Sequence, residues 1–290
     1  MTEAITTEPG APGILYLCAT PIGNLEDMTY RAVRILGEAG LIAAEDTRHT
    51  RKLLAHYDIH TPLTSYHEHN KFTKGPELVE YLQGGGTLVC VSDAGLPGIA
   101  DPGSHLAMLA IGAGIRVVPL PGANAALSAL ICSGLDTTRF SFLGFLPKTE
   151  KKRREILADI RFRQETLLFY EAPHRLRTFL KELTAAFGGA RQVVFARELT
   201  KKFEEFHRTT LAEACGWYAE HEPRGEFVVV VEGSPEGMKE AKPAETRSSA
   251  ELVAALMEED GLDRKAAMRE AAKQLGMSRR DVYQSLLETE

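Results

Sequence analysis

The sequence has little cysteine, a single tryptophan and no long hydrophobic run. Four cysteines occur among 290 residues, far apart and without a Cys-x-x-Cys pair. This spacing argues against a zinc ribbon or a thioredoxin-type motif and predicts reduced cysteines. No stretch of about eighteen apolar residues is present, so no membrane span is expected. The first residues, MTEAITTEPGAPG, lack the basic-then-apolar order of a signal peptide, and we therefore expect a cytoplasmic protein.

A strong positive charge is also missing. The formal net charge is -6 at pH 7, which argues against coating of nucleic acid by bulk electrostatics. A local basic patch can still recruit phosphates, and at Lys148–Arg154 five positive charges accompany one negative charge. No metal site is predicted, because His67 and His69 form a lone His-x-His in a polar loop without other ligands at a familiar spacing.

The chain length, with 44% hydrophobic and 26% charged residues, predicts two globular domains and a tail. From Ile14 onward apolar runs alternate with helical patterns, which is typical of a mostly parallel sheet with helices on its faces. We therefore predict an α/β fold. Its segments are a disordered lead-in at 1–13, an N-terminal α/β domain at 14–122, a C-terminal α/β domain at 123–233, a linker at 234–249 and a helical tail at 250–290.

The tail has the layout of a helix-turn-helix. An alanine-rich helix is closed by Gly276, and Ser278 follows as the N-cap of another helix. The excess of basic residues is small. A pair of docking helices that binds no nucleic acid fits the same pattern nearly as well.

Three predicted strands end in loops rich in glycine and proline. The run ILYLCAT leads into Pro21–Asn24, the run TLVCVS leads into Asp93 and the residues GLPG, and the run GIRVVPL leads into Pro121–Asn124. Carboxyl ends of parallel strands meet at one edge of the sheet, where α/β proteins bind small ligands. The loops therefore predict a pocket lined by backbone groups.

Seven strings resemble those of a known family in order and spacing: TPIGNLEDMTYRA, IAAEDTRHTRKLL, SDAGLPGIADPG, VVPLPGANAALSAL, FLGFLP, YEAPHRL and ARELTKKFEEF. On these motifs the chain from Leu15 to Gly233 resembles the tetrapyrrole methylase superfamily, and within it the branch that methylates small-subunit ribosomal RNA. Two positions depart from the pattern. The family usually has Thr in place of Leu96, and Pro-Cys or Pro-Ser in place of Ala123 and Asn124.

The resemblance implies two α/β domains with a cleft for S-adenosylmethionine (SAM) between them, followed by the small helix-turn-helix. It also implies a homodimer that acts on 16S rRNA within the 30S subunit. The reaction it implies is 2'-O-methylation of a cytidine ribose in the decoding region.

SAM carries a positive sulfur, an adenosine and an amino acid, so its site is expected to offer backbone donors, apolar walls and few carboxylates. Asp93 is predicted to hold the ammonium group or to attract the sulfonium, although an Asx turn explains an Asp there as well. The predicted cofactor-binding residues are Pro21, Gly23, Asp93, Gly95, Leu96, Pro121, Gly122, Ala123, Asn124, Ala125 and Tyr170.

Charged residues follow three further apolar runs, in AAEDTRHT, YEAPHR and ARELTK. A structural ion pair explains any single one of them at least as well as a functional role, but three clusters at the rim of one cleft favour contact with RNA. Asp46 and Glu171 are the candidate general bases. The predicted RNA-binding residues are Arg48, His49, His174, Arg175, Arg197 and Lys201.

Two other interpretations stay open. A methylase of a tetrapyrrole or another small molecule would share the fold and SAM, but it would not need the basic segment or the tail. A ligand-sensing regulator would read DNA with the tail. The tail at 245–290 carries seven basic and ten acidic residues, which disfavours that role.

Overall fold

The computed structural model describes residues 11–99, 101–235, 249–258, 262–275 and 281–282. The chain divides into two compact units, Met1–Ser234 and Pro235–Glu290. Two five-stranded sheets organise the first unit. Residues 1–10 of the predicted lead-in and residues 236–248 of the predicted linker lie outside the described residues.

The first sheet is built from five strands: β1 (Ile14–Cys18), β2 (Leu41–Ala44), β3 (Leu63–Ser65), β4 (Thr87–Val91) and β5 (Arg116–Leu120). It is entirely parallel, in the order β3-β2-β4-β1-β5. Its connecting helices are α1 (Tyr30–Glu38), α2 (Thr47–His56), α3 (Lys71–Gln83) and α4 (Gly103–Gly112).

The central strands of this sheet are buried on both faces. Leu88 of β4 packs with Leu106 of α4 on one face, and its neighbour Val89 packs with Leu36 of α1 on the other. Burial on both faces is the reason that these strands appear in the sequence as continuous apolar runs. Because the sheet is parallel, all five carboxyl ends lie at the same edge.

The second sheet consists of β6 (Phe140–Gly144), β7 (Thr166–Glu171), β8 (Gln192–Arg197), β9 (Glu205–Thr210) and β10 (Phe227–Val231). Its order is β6-β7-β10-β8-β9, and only β6 and β7 are parallel. The helices that accompany it are α5 (Ala125–Ser133), α6 (Glu150–Ile160), α7 (Pro173–Phe187) and α8 (Leu211–Glu220).

Helices cover both faces of the second sheet. Leu176 and Phe179 of α7 pack with Phe169 of β7 on one face. On the other face Leu130 of α5 packs with Leu168, and Ile22 from the loop after β1 joins the same cluster. This cluster therefore ties the first sheet's loops to the second sheet.

The second unit contains α9 (Ser249–Glu258) and α10 (Arg264–Leu275). Val253 and Leu256 of α9 pack with Ala267 and Ala271 of α10, and Asp263 accepts a hydrogen bond from the Ala266 N–H at the start of α10. Gly276 and Ser278 lie outside the described residues. The helix-turn-helix therefore stays a prediction.

Two strands, β3 and β9, were not expected from the sequence. Each lies at an edge of its sheet, and β9 is polar at every position of the run EFHRTT except Phe206. Edge strands carry polar residues that resemble a loop pattern. Helix α3 begins at Lys71 and contains Pro76 in its interior.

No described helix combines the length and the apolar character that crossing a bilayer requires.

Candidate active site

The loops that follow β1, β4 and β5 meet in space. The backbones of Thr20 and Gly95 exchange two hydrogen bonds, each 3.0 Å long. Gly95 has φ +79°, and a Cβ at this position would lie 3.5 Å from Ile22 Cγ2 and 3.6 Å from the Ala123 carbonyl oxygen. A glycine allows this turn without strain. The three loops predicted from the sequence therefore converge.

Hydrogen bonds also join the loops after β2 and β4. Asp93 Oδ1 accepts from the Asp46 N–H at 3.1 Å, and Glu45 Oε2 accepts from the Asp93 N–H at 3.5 Å. Further along the β4 loop, Asp101 Oδ1 accepts from the Gly98 and Gly103 N–H groups at 2.7 Å each. Strand ends that are far apart in sequence thus bring three carboxylates to one edge.

This edge faces the second sheet across a cleft of about 510 Å3. Apolar walls come from both sides, with Ile22 and Leu96 from the first sheet's loops and Tyr170 from β7. The Tyr170 ring packs against Phe145, with ring centroids 5.5 Å apart. Ala125 begins α5 in the cleft wall, and Asn124 caps that helix by accepting from the Leu127 N–H at 2.9 Å. The cleft has the apolar walls and the helix start expected of a small-molecule site.

The expectation of few carboxylates is wrong for this cleft. Among the described residues its lining holds one basic side chain, Lys201, which donates to Glu198 and Glu226. Burial raises the pKa of Glu45, Asp101 and Glu171. An acidic cavity of this kind attracts a cation. Its carboxylates are Glu45, Asp93, Asp101, Glu171 and Glu226.

Glu171 ends β7 with a side chain that has no exposed surface. Its Oε1 accepts from the Ala172 N–H at 2.9 Å. Its Oε2 has no hydrogen-bond partner in the described part of the chain, although Arg175 Nη2 lies 3.3 Å away. A buried oxygen without a donor is costly and marks a position where a ligand can supply one.

The other candidate base is held differently. Asp46 accepts two hydrogen bonds from the Arg48 guanidinium and caps α2 through the Arg48 N–H. These bonds hold its pKa well below the usual range. Asp46 does not line the cleft, and the Arg48 side chain is 84% exposed.

The structure brings together only part of the predicted set. Eight of the predicted residues line the cleft: Asp93, Gly95, Leu96, Asn124, Ala125, Tyr170, Glu171 and Lys201. Eleven do not line it: Pro21, Gly23, Asp46, Arg48, His49, Pro121, Gly122, Ala123, His174, Arg175 and Arg197. Their roles stay predictions.

Several of the residues outside the lining shape the loops. A Cβ at Gly122 would lie 2.8 Å from that of Ala19, and a Cβ at Gly23 would collide with Lys201. These glycines allow close approach of neighbouring segments. Arg197 is held by Glu205, with Nη2 and Oε2 2.9 Å apart.

The predicted site residues omit four lining residues that carry chemistry. Three of them lie in quoted strings, Glu45 in IAAEDTRHTRKLL, Asp101 in SDAGLPGIADPG and Phe145 in FLGFLP, so a signal was present. Glu226 had none. It precedes β10, whose first residue Phe227 pairs with both Glu171 and Arg197 because β10 is antiparallel, and this reversal is not visible in the sequence.

With this geometry in view, comparison with known proteins defines the class. A family model described as Tetrapyrrole (Corrin/Porphyrin) Methylases matches residues 15–215. The chain belongs to this methylase family.

Within the family, the chain is similar to proteins named ribosomal RNA small subunit methyltransferase I. The protein of that name from Halalkalibacterium halodurans is 50% identical over 272 residues, 93% of each chain. Those from Bacillus subtilis and Escherichia coli O157:H7 are 48% and 45% identical, covering 93% and 95% of each chain.

Solved structures show the same fold at low identity. The methyltransferase CobJ matches with a TM-score of 0.58 and 20% identity, over 78% of this chain and 95% of its own. Uroporphyrin-III-C-methyltransferase from Thermus thermophilus matches with a TM-score of 0.54 and 20% identity, over 75% and 94%.

Proposed function

We propose that this protein is a SAM-dependent 2'-O-methyltransferase of a cytidine ribose in the decoding region of 16S rRNA. The observation that carries the proposal is the identity of 50% over 93% of the chain to a ribosomal RNA small subunit methyltransferase I. A match of this extent includes the loops that form the cleft as well as the core.

The cleft fits SAM on charge and shape. Its excess of carboxylates suits a ligand with a sulfonium and an ammonium group, and its apolar walls suit an adenosine. The residues that would hold it are Asp93, the backbone of Gly95 and Leu96, the first turn of α5 at Ala125, and Tyr170. SAM would supply an electrophilic methyl group, whose S–C bond breaks as an O–C bond forms at the ribose 2'-oxygen.

Glu171 is the better placed of the two candidate bases. It lines the cleft, and its Oε2 accepts no hydrogen bond from the described residues, although Arg175 Nη2 lies 3.3 Å away. Asp46 does not line the cleft, and both of its oxygens accept hydrogen bonds from the Arg48 guanidinium. Burial raises the pKa of Glu171, and a base is most effective when its pKa approaches the working pH. Glu171 Oε2 would accept the proton that leaves the 2'-hydroxyl.

The remaining expectations belong to the same proposal. Arg48 and His49 are exposed beyond the end of β2 and are available to RNA, whereas Lys201 and Arg197 are paired with carboxylates. The protein would act as a homodimer on 16S rRNA of the 30S subunit in the cytoplasm. The reaction as proposed calls for no metal ion.

A transfer assay tests this function. Tritiated SAM is incubated with the protein and with 30S subunits, naked 16S rRNA or uroporphyrinogen III. Label is expected in 16S rRNA, and nuclease mapping is expected to place it on a cytidine 2'-oxygen. Label in the porphyrinogen alone would replace the proposal by a small-molecule methylase. A strain without the protein is expected to lack that ribose methyl group.

A further inference from the structure

A second depression lies on the other side of Glu171. Its volume is about 180 Å3, and Glu171 is the only described residue that lines both this depression and the cleft. The rest of its lining is dominated by basic side chains, with Glu182 as the other carboxylate. We call it the basic depression, after Lys148, Arg153, His174 and Arg175.

Arg153 is the structural member of this group. Its Nε and Nη2 donate to the two carboxylate oxygens of Glu182 at 2.7 Å each, and both side chains are only 11% exposed. Its Nη1 donates to the carbonyls of Pro147 at 3.2 Å and Lys148 at 2.6 Å. The pair is charge-neutral, so Arg153 serves to hold the turn that carries Lys148.

The other basic residues keep donors free. In the described part of the chain the Lys148 ammonium has no ion pair or hydrogen bond. Arg175 Nη2 donates to the Leu146 carbonyl at 3.2 Å and lies 3.3 Å from Glu171 Oε2, while its Nε and Nη1 have no partner among the described residues. Helix α7 starts beside them at Pro173 without a side-chain cap, and the positive end of its dipole adds to the same field. The depression thus offers a fixed set of donors for an anion.

The Glu171 carboxylate lines both cavities. Its side chain is fully buried, and its Oε2 accepts no hydrogen bond in the described part of the chain, although Arg175 Nη2 lies 3.3 Å away. In RNA the 2'-hydroxyl, a donor, and the 3'-phosphate, an anion, are carried by adjacent carbons of one ribose. Two cavities that share the Glu171 carboxylate can therefore receive the two groups of one nucleotide, with the hydroxyl at the carboxylate and the phosphate in the basic depression.

We infer that the basic depression binds the backbone phosphate next to the target ribose, with the ribose hydroxyl against Glu171 and the methyl donor in the cleft. Lys148 and Arg175 make the phosphate contacts. Arg153 is a positioning residue. This inference rests on the proposed function, since it requires RNA as the substrate.

The test uses Lys148→Ala and Lys148→Glu. The Lys148 side chain is exposed and has no partner among the described residues, and both variants keep the carbonyl that accepts from Arg153, so neither change is expected to disturb the fold. The matched control is Arg116→Ala. It also removes an exposed positive charge, but at the start of β5, the opposite edge of the first sheet from the cleft. SAM affinity is measured by calorimetry, and kcat and KM for 30S subunits by methyl transfer.

For Lys148→Ala, KM is expected to rise about fivefold while kcat stays within about twofold, since one charge-assisted hydrogen bond is lost. The slope of log affinity for RNA against log salt is expected to fall by about 0.7, one phosphate contact. Lys148→Glu is expected to raise KM further. SAM affinity and the Arg116→Ala enzyme are expected to match wild type.

The outcomes separate this inference from the function. If wild-type protein transfers no methyl group to RNA, the proposed function fails. If it does so while both Lys148 variants keep the KM and salt slope of Arg116→Ala, the phosphate site is overturned and the function stands. A last experiment measures binding of inorganic phosphate to the wild type and to the Lys148 variants at constant ionic strength. If phosphate binding depends on Lys148 while the RNA kinetics of the variants are unchanged, the depression is a site for free anions and the inference is overturned.

Discussion

The cleft and the basic depression share the Glu171 side chain but have opposite charge. Five carboxylates and one paired lysine line the cleft, whereas four basic residues and two carboxylates line the depression. The difference comes from the elements that supply them. Four of the cleft's carboxylates end or follow β2, β4 and β7, and Glu226 precedes β10. The cations of the depression lie in the turn before α6, in α6 and in the first turn of α7. A cationic methyl donor and a polyanion need opposite potentials side by side, and a buried wall keeps them separate.

The largest effect is expected from a change of Glu171, the residue that lines both the cleft and the basic depression. Glu171→Gln keeps the size of the side chain and removes its basicity. Methyl transfer is expected to fall about a hundredfold or more, the usual effect of losing a general base, with SAM affinity nearly unchanged. In wild type, kcat is expected to rise with pH as Glu171 ionises, through a pKa that burial has raised. The Gln variant is expected to lose this rise.

Glu38→Gln is the control for that experiment, since Glu38 is exposed and paired only with Arg34 on α1. Rapid-quench measurements of single-turnover rates across pH provide the readout. If the single-turnover rate and its pH profile are unchanged in Glu171→Gln, Glu171 is not the general base, and the rate comes from alignment of the methyl donor with the ribose hydroxyl.

Loss of the Arg153–Glu182 pair, which holds the turn beside the basic depression, is expected to have the next largest effect. Arg153→Met leaves the Glu182 carboxylate buried without its partner, and breaking a buried pair costs about 3 kcal/mol. Urea unfolding measures the free energy of unfolding. Arg34→Met, which breaks an exposed pair with Glu38, is expected to cost about 0.5 kcal/mol or less. Equal decreases in the free energy of unfolding of the two variants would show that the Arg153–Glu182 pair contributes no more than an exposed pair.

The cleft alone is tested at Asp93. Asp93→Ala is expected to weaken SAM binding about tenfold to a hundredfold by removing a charged partner, without changing the salt dependence of RNA binding. Asp93→Asn retains the acceptor for the Asp46 N–H and separates the charge from the loop geometry. Calorimetry with SAM gives the affinities, and Asp58→Ala, on the exposed surface, is the control. Unchanged SAM affinity in Asp93→Ala would remove Asp93 from the site.

The smallest expected effect concerns stability and pH. Burial raises the pKa of Glu171 above its ordinary value of 4.5, so the folded protein binds this proton more tightly than the unfolded chain. Its contribution to stability is complete below the ordinary value and is lost as pH rises through the folded value. Glu171→Gln is therefore expected to have a higher Tm than wild type near neutral pH, and this gain is expected to vanish in acid. A constant difference in calorimetric scans across that range would contradict burial as the cause.

Much of the cleft can be predicted from residues that combine local chemistry with a strand end. Asp93 and Gly95 follow the apolar run of β4, and Asn124 follows that of β5, so the parallel pattern alone brings them to one edge. Glu226 illustrates the opposite case. It lies before its strand, and only the antiparallel pairing of β10 with β7 and β8 brings it to the cleft.

The roles of the charged residues also depend on tertiary structure and cannot be predicted from the local sequence. Asp46 and Glu171 look alike in sequence, each an acid beside an arginine at a strand end. In the structure Asp46 is a half-buried helix cap, while Glu171 is fully buried and one of its oxygens accepts no hydrogen bond from the described residues. Burial depends on what packs across a strand end, and that packing comes from distant segments.

The α/β class and the three glycine and proline loops can be read from the sequence alone, because strand periodicity and turn chemistry are local properties. The motifs resemble those of a methylase family, and the family model matches the chain. Only the tertiary structure decided which side chains face the cleft, that the cleft is acidic, and that a basic depression adjoins it behind Glu171. Charge and burial at a site are sums over residues distant in sequence, and the fold sets which of them become neighbours.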